Sequence, residues 1–248
     1  MKFLKNGLFA TVTILGVFTA HTVSAAIALD RTRVIFNGDD KSVSLNVSNE
    51  NTKLPYLVQA WIEDSKGNKI NGPLTIVPPL QRVEPGSKSQ IKLQSLPAID
   101  SLPKDRESLF YFNMREIPPR SDKPNTLQIA LQTKIKLFYR PAEIVQPETS
   151  RSAPWQESVV MVREGQRYKL TNPTPYYVTF VDAGSTVSNS ESEFRPLMLA
   201  PLSSDYLNVS ASKLGASPVL TYVNDYGGHP KLVFHCEGSS CKATPVKE

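Results

Sequence analysis

Thr126-Leu-Gln-Ile-Ala-Leu-Gln-Thr-Lys-Ile-Lys-Leu-Phe-Tyr-Arg140 runs without a glycine or proline, and its apolar side chains alternate. Leu127, Ile129, Leu131, Ile135, Leu137 and Tyr139 share the odd positions with Thr133, while Gln128, Gln132, Lys134 and Lys136 sit on the even ones. A period of two is that of a β-strand, whose successive side chains point to opposite faces. Strands usually run to about five or six residues, so this stretch predicts an unusually long, two-faced strand over residues 126–140. Spacing alone reads its apolar side as the core face of a sheet.

Working outward, the rest of the chain has the same texture. Residues 41–48 alternate polar with apolar, and residues 54–62 and 89–93 read similarly. Turn-forming clusters separate these runs: Asn37-Gly38-Asp39-Asp40, Ser65-Lys66-Gly67-Asn68, Asn71-Gly72-Pro73 and Glu84-Pro85-Gly86. The 20 prolines among 248 residues are scattered throughout, which long helices tolerate poorly because each interior proline removes a backbone donor. Past Pro141, residues 144–154 carry Gln146-Pro147-Glu148-Thr149-Ser150 and end in Ala153-Pro154, a linker composition. Strand-like segments resume at 158–162, 176–181, 205–209, 220–224 and 231–235. The expectation is an all-β protein of two sandwiches, over residues 26–146 and 147–248.

Residues 1–25 read differently. Lys2 and Lys5 precede an uncharged run from Gly7 to Ala20, and the stretch closes on Val23-Ser24-Ala25. A positive start, a short apolar middle and small residues at the end make a cleaved signal peptide, with the mature chain beginning at Ala26. The apolar run falls short of the about 20 residues a membrane span requires. No membrane insertion of the mature chain is therefore expected. Losing two lysines lowers the formal net charge from +5 to +3. The remaining cations are interleaved with acids, as in Lys104-Asp105-Arg106-Glu107, so the basic footprint of a nucleic-acid binder is missing.

The two cysteines, Cys236 and Cys241, enclose Glu-Gly-Ser-Ser. In an exported chain they predict a disulfide across a small hairpin, worth about 2 kcal/mol for so short a loop. His229 and His235 fit no zinc spacing, and no metal or cofactor is expected. Neither histidine has a Ser-His-Asp or Cys-His context, and Tyr226-Gly227-Gly228 reads as a turn rather than a phosphate cradle. No reaction class is indicated, and the chain is not expected to be an enzyme. Arg33, in Leu29-Asp-Arg-Thr-Arg-Val34, and Lys136 lie in strand candidates. There a cation can face a groove and hold an anion, or simply face water.

Several segments resemble one family, the periplasmic chaperones of the chaperone–usher pathway, which assemble bacterial adhesive pili. Leu102-Pro-Lys-Asp-Arg-Glu-Ser-Leu-Phe-Tyr-Phe-Asn-Met-Arg-Glu-Ile-Pro-Pro119 resembles the family's signature segment, and residues 127–141 resemble its long donor strand. Thr171-Asn-Pro-Thr-Pro-Tyr-Tyr-Val178 and Tyr222-Val-Asn-Asp-Tyr-Gly-Gly228 extend the likeness through the second half. The resemblance implies two immunoglobulin-like domains in a boomerang, in the periplasm, working without ATP. Its partners would be pilus subunits, each lacking one strand of its own sandwich, and an outer-membrane usher to which they are delivered.

The same resemblance assigns roles. Leu127, Ile129 and Leu131 would fill the subunit's groove by donor-strand complementation. Arg33 and Lys136 would bind its C-terminal carboxylate, and Glu107, Arg140 and Asp225 would form an inter-domain charge cluster. Exposed Leu and Ile on a free chaperone favour a capped or self-associated form. Two other exported all-β classes stand beside this reading. A structural pilin or adhesin should show an incomplete sandwich and a donor extension, and a carbohydrate-binding sandwich should not need the apolar face.

Overall fold

The computed structural model describes residues 25–146 and 154–246. The leader expected over residues 1–25 lies almost wholly outside these, as does the middle of the expected linker. Ten strands occupy the first half of the described chain: β1 Ile27–Leu29, β2 Arg33–Asn37, β3 Ser42–Asn49, β4 Tyr56–Glu63, β5 Lys69–Ile70, β6 Leu74–Val77, β7 Leu80–Val83, β8 Lys88–Ser95, β9 Ser108–Ile117 and β10 Gln132–Arg140. They form a four-stranded sheet, β1-β3-β8-β6, and a second sheet, β2-β10-β9-β4-β5, with β7 also on β4. Alternation works as it should in β3, where Leu45 and Val47 turn inward and Asn46 outward. Leu45 and its cross-strand partner Ile91 meet Ile62, Phe112 and Leu137 of the other sheet in one apolar core.

The second half contains β11 Val160–Glu164, β12 Arg167–Asn172, β13 Val178–Gly184, β14 Leu197–Leu199, β15 Ser203–Ser210, a single helical turn at Ala211–Leu214, β16 Val219–Tyr222, β17 Lys231–Glu237 and β18 Ser240–Pro245. These eight strands hydrogen-bond in one continuous order, β14-β13-β16-β17-β18-β11-β12-β15. The sheet curls until its two ends, β14 and β15, lie against each other. Register shifts in the β12–β15 and β13–β16 ladders supply local bends, as extra residues in a ladder do. Met161, Leu170, Phe180, Leu220 and Phe234 fill the enclosed core. The β17–β18 hairpin is closed by the Cys236–Cys241 disulfide.

Two sequence expectations change. The stretch read as one strand around Leu29–Val34 is two strands in different sheets, because the chain crosses at residues 30–32: β1 pairs with β3, and β2 pairs in parallel with β10. The predicted strand over residues 126–140 is shorter, since only Gln132–Arg140 is laddered. Alternation prepares residues 126–131 for a sheet, but a strand is made by a neighbour's hydrogen bonds. Among the described residues that segment's own backbone makes only the bond from the Glu116 N–H to the Leu131 carbonyl (3.0 Å) at its end; its other bonds run from the Thr126 and Gln128 side chains to the Lys123 and Pro119 carbonyls.

Candidate strand-accepting edge and anion site

β10 is paired unequally on its two sides. Against β9 it is laddered from Gln132 to Tyr139, but against β2 only from Lys136 to Arg140. Below Lys136, the edge that faces away from β9 is open among the described residues. The odd-numbered side chains of β10 point into the first domain's core, where Leu137 is fully buried and Ile135 packs at the margin. Continued outward, the same face carries Leu131, Ile129 and Leu127, which are 40, 63 and 85% exposed. An apolar row thus runs out of the domain's own core beside an unpaired backbone edge. Single exposed apolar residues are commonplace on proteins, but a row of this kind is the feature of a binding edge.

The open edge ends at Arg33 and Lys136, which are direct partners across the β2–β10 ladder. Both are partly buried, and among the described residues neither is ion-paired. Glu63 lies on the same sheet row, across Tyr111 from Lys136. It is taken instead by Lys134, whose Nζ is 2.6 Å from Glu63 Oε2. Burial lowers both Arg33 and Lys136 below their ordinary values, and Arg33 adds to the depression of Lys136 by repulsion. Two partly desolvated cations thus stand side by side at the end of the open edge.

The third group gathers around Arg140, at the buried end of the same strand. Its Nε and Nη2 donate to Glu107 Oε1 at 2.9 and 2.7 Å, and its Nη1 donates to Asp225 Oδ2 at 2.9 Å. Tyr176 and Trp155 stack on the guanidinium, with ring centroids at 4.8 and 5.0 Å. The other Glu107 oxygen accepts the Tyr177 backbone N–H at 2.7 Å. Glu107 and Arg140 belong to the first domain, while Asp225, Tyr176 and Tyr177 belong to the second, so the cluster crosses the domain boundary. Burial pushes the Glu107 carboxyl up to about 7 against the pull of Arg140 and the Tyr177 N–H. Burial also depresses Arg140, but Glu107 and Asp225 outweigh it and hold the guanidinium above its ordinary value. A cavity of about 510 Å³ opens beside this cluster, lined by Arg31, Arg33, Arg140, Trp155 and Asp225 among others.

The sequence reading thus placed its eight site residues in three groups, and the structure brings each group together. All three lie along one strand, β10, and its extension. What the reading missed are the second domain's contributions: the aromatic rings on Arg140, and the Thr179 and Val223 atoms that meet Lys136 and Arg33. The Tyr176-Tyr177 pair lay within a quoted segment, but nothing in a Thr or a main-chain carbonyl advertises a contact 43 or 190 residues away.

Fold and site together define a class: a two-domain immunoglobulin-like β-protein with, among the described residues, an open sheet edge, an apolar extension and a pair of cations at the edge's end. Comparison with known proteins gives the family. A profile described as pili and flagellar-assembly chaperone, PapD N-terminal domain, matches residues 26–145. One described as pili assembly chaperone PapD, C-terminal domain, matches residues 154–234. The chain belongs to the PapD family of pilus-assembly chaperones.

Among its relatives, the probable fimbrial chaperone YfcS of Escherichia coli K12 is 51% identical over 90% of this chain and 88% of its own length. The chaperone protein PapD of Escherichia coli is 50% identical over 93% and 95%. The crystal structure of the periplasmic chaperone SfaE superposes with a TM-score of 0.67 at 31% identity, covering 84% of this chain and 98% of that one. The chaperone in the complex of the Salmonella enterica SafA pilin with SafB matches in fold, with a TM-score of 0.69 at 23% identity over 91% and 99% of the two chains.

Proposed function

We propose that this chaperone holds a pilus subunit by lending it residues 127–135 as an edge strand and fixing the subunit's C-terminal carboxylate on Arg33 and Lys136. The observation that carries the reading is the exposed row Leu127, Ile129 and Leu131, continuous with the domain's own core face and ending at two cations that have no acidic partner among the described residues. A subunit strand laid against the open edge would take its main-chain hydrogen bonds from the β10 extension and cover the three side chains, each worth about 2 kcal/mol when fully buried. A strand whose carboxyl end reaches Arg33 and Lys136 must run towards Lys136, parallel to β10 and in line with β2. β2 begins where that strand would stop. Charge-assisted bonds to the terminal carboxylate then set its register.

The working cycle follows from the exchangeable edge: subunits are folded and capped in the periplasm, then passed to an outer-membrane usher, where another strand replaces the chaperone's. No ATP and no catalytic residue enters this scheme. The periplasmic assignment is supported by the relatives' description as fimbrial and periplasmic chaperones. Among the described residues no helix is long and apolar enough to cross a membrane. The division into domains at 26–146 and 147–248 is supported by two separate apolar cores, and the leader at 1–25 by its charged start, short apolar run and small closing residues. Glu107, Arg140 and Asp225 hold the two domains together. In the free protein, self-association would cover the apolar row.

Co-expression with a pilin tests the anchor. Recovery of the chaperone–subunit complex from periplasmic extract should fall at least tenfold for Arg33→Ala and Lys136→Ala, with the chaperone itself still soluble. Undiminished recovery from both would remove the carboxylate from the scheme.

A further inference from the structure

Both anchor cations are met by the second domain. Lys136 Nζ donates to Thr179 Oγ1 at 3.3 Å, and Arg33 Nη1 donates to the Val223 carbonyl at 3.2 Å. Thr179 in β13 and Val223 just past β16 are themselves joined, the Val223 N–H donating to the Thr179 carbonyl at 3.0 Å. The two acceptors are therefore one rigid element. That element is fixed on the first domain from its other side: Asp225 is paired with Arg140, and Gly227 lies so close to Thr32 that a Cβ there would meet the threonine hydroxyl at 2.5 Å. Gly227 also has a positive φ of 84°, which a glycine adopts without strain.

The chemistry of these acceptors is specific. Thr179 is 5% exposed, and a buried hydroxyl normally uses both its donor and its acceptor capacity. Its oxygen accepts from Lys136, while no donation by its proton is recorded among the described residues. Arg33 Nε is likewise buried without an acceptor among the described residues. Both acceptors supplied by the second domain are neutral, so they orient the two cations and leave their charge available. An aspartate or glutamate in either place would neutralise the pair and occupy the anion's position. The depressed Lys136 and Arg33 agree with an arrangement that still lacks its negative charge.

We propose that the second domain completes the anion site, with Thr179 as a third ligand that donates its hydroxyl proton to the subunit's terminal carboxylate while its oxygen holds Lys136. The Val223 carbonyl is the positioning group for Arg33. This rests on the carboxylate-anchor reading above and adds that the first domain alone presents the cations incompletely. It gives the inter-domain cluster a second consequence, since the loop carrying Asp225 also carries the acceptor for Arg33.

The test uses the full mature chain and one synthetic peptide, the C-terminal strand of a pilin subunit, made as the free acid and as the amide. Wild type should bind the acid more tightly. Thr179→Val, nearly isosteric and well suited to a strand, should weaken the acid about tenfold and leave the amide unchanged. Thr179→Ser, which keeps the hydroxyl and loses the methyl, should bind both peptides like wild type. The proposal is overturned if Thr179→Val binds the acid within twofold of wild type, or weakens acid and amide together. It is also overturned if Thr179→Ser is the poorer variant, since a packing role would make it so. A wild type that does not distinguish acid from amide would instead sink the anchor reading itself, and this proposal with it.

Discussion

The two halves of the Thr126–Arg140 stretch have the same alternation and opposite fates. Leu137 is fully buried, whereas Leu127, ten residues earlier on the same face, is 85% exposed. The difference lies in the neighbours. Leu137 has β9 on one side and β2 on the other, with the four-stranded sheet stacked over it; Leu127 has none of these. A period-two pattern therefore records where a side chain would point in a sheet, and the missing neighbours mark the place kept for another chain's strand. The same contrast separates the cations. Arg140, at the buried end, is saturated by two carboxylates and two rings, while Lys136, four residues earlier, meets among the described residues only a neutral hydroxyl.

This contrast can be attacked at the buried end first. Arg140→Ala would leave Glu107 buried without its cation, held only by the Tyr177 N–H among the described residues, and should lower unfolding stability by about 3–5 kcal/mol in urea melts. A loss under 1 kcal/mol would mean that the cluster is solvated and does not join the domains. Next come the two leucines. Leu137→Ala should cost about 2–5 kcal/mol as a core cavity, whereas Leu127→Ala should change the free protein's stability by less than about 0.5 kcal/mol and yet reduce recovery of the subunit complex. Equal destabilisation by the two would show that residues 126–131 pack on the free domain.

The last test concerns pH. Glu107 titrates near 7 in the folded protein and near 4.5 in its ordinary state. Between these values the folded chain keeps a proton that the unfolded chain has released, so its stability falls as pH rises through that window. Its surroundings are Arg140, Asp225 and the Tyr176 and Tyr177 rings. Glu107→Gln keeps the shape without the titration and should flatten the slope of stability between pH 4.5 and 7. An unchanged slope would assign that pH dependence to other groups.

Much of this molecule was legible from one-dimensional patterns. β3, β4 and β8 could be read from alternation between turn clusters, and the disulfide hairpin from two cysteines around a turn sequence. Short or irregular strands such as β5, β7 and β14 carry too few residues for a period to show. The eight site residues were named by family resemblance, because a lysine at a groove and a lysine in water look alike in a sequence.

The sequence by itself determined the strands and faces: which residues alternate, where turns must fall, and that an apolar row runs on past Ile135. Only the tertiary structure decided that β2 begins at Arg33, leaving the edge beside that row open among the described residues, and that β13 and β16 bring Thr179 and Val223 to the two cations. The physical reason is range. Alternation and turn chemistry act between residues a few positions apart, whereas an open edge or a completed anion site depends on chain segments meeting across many tens of residues.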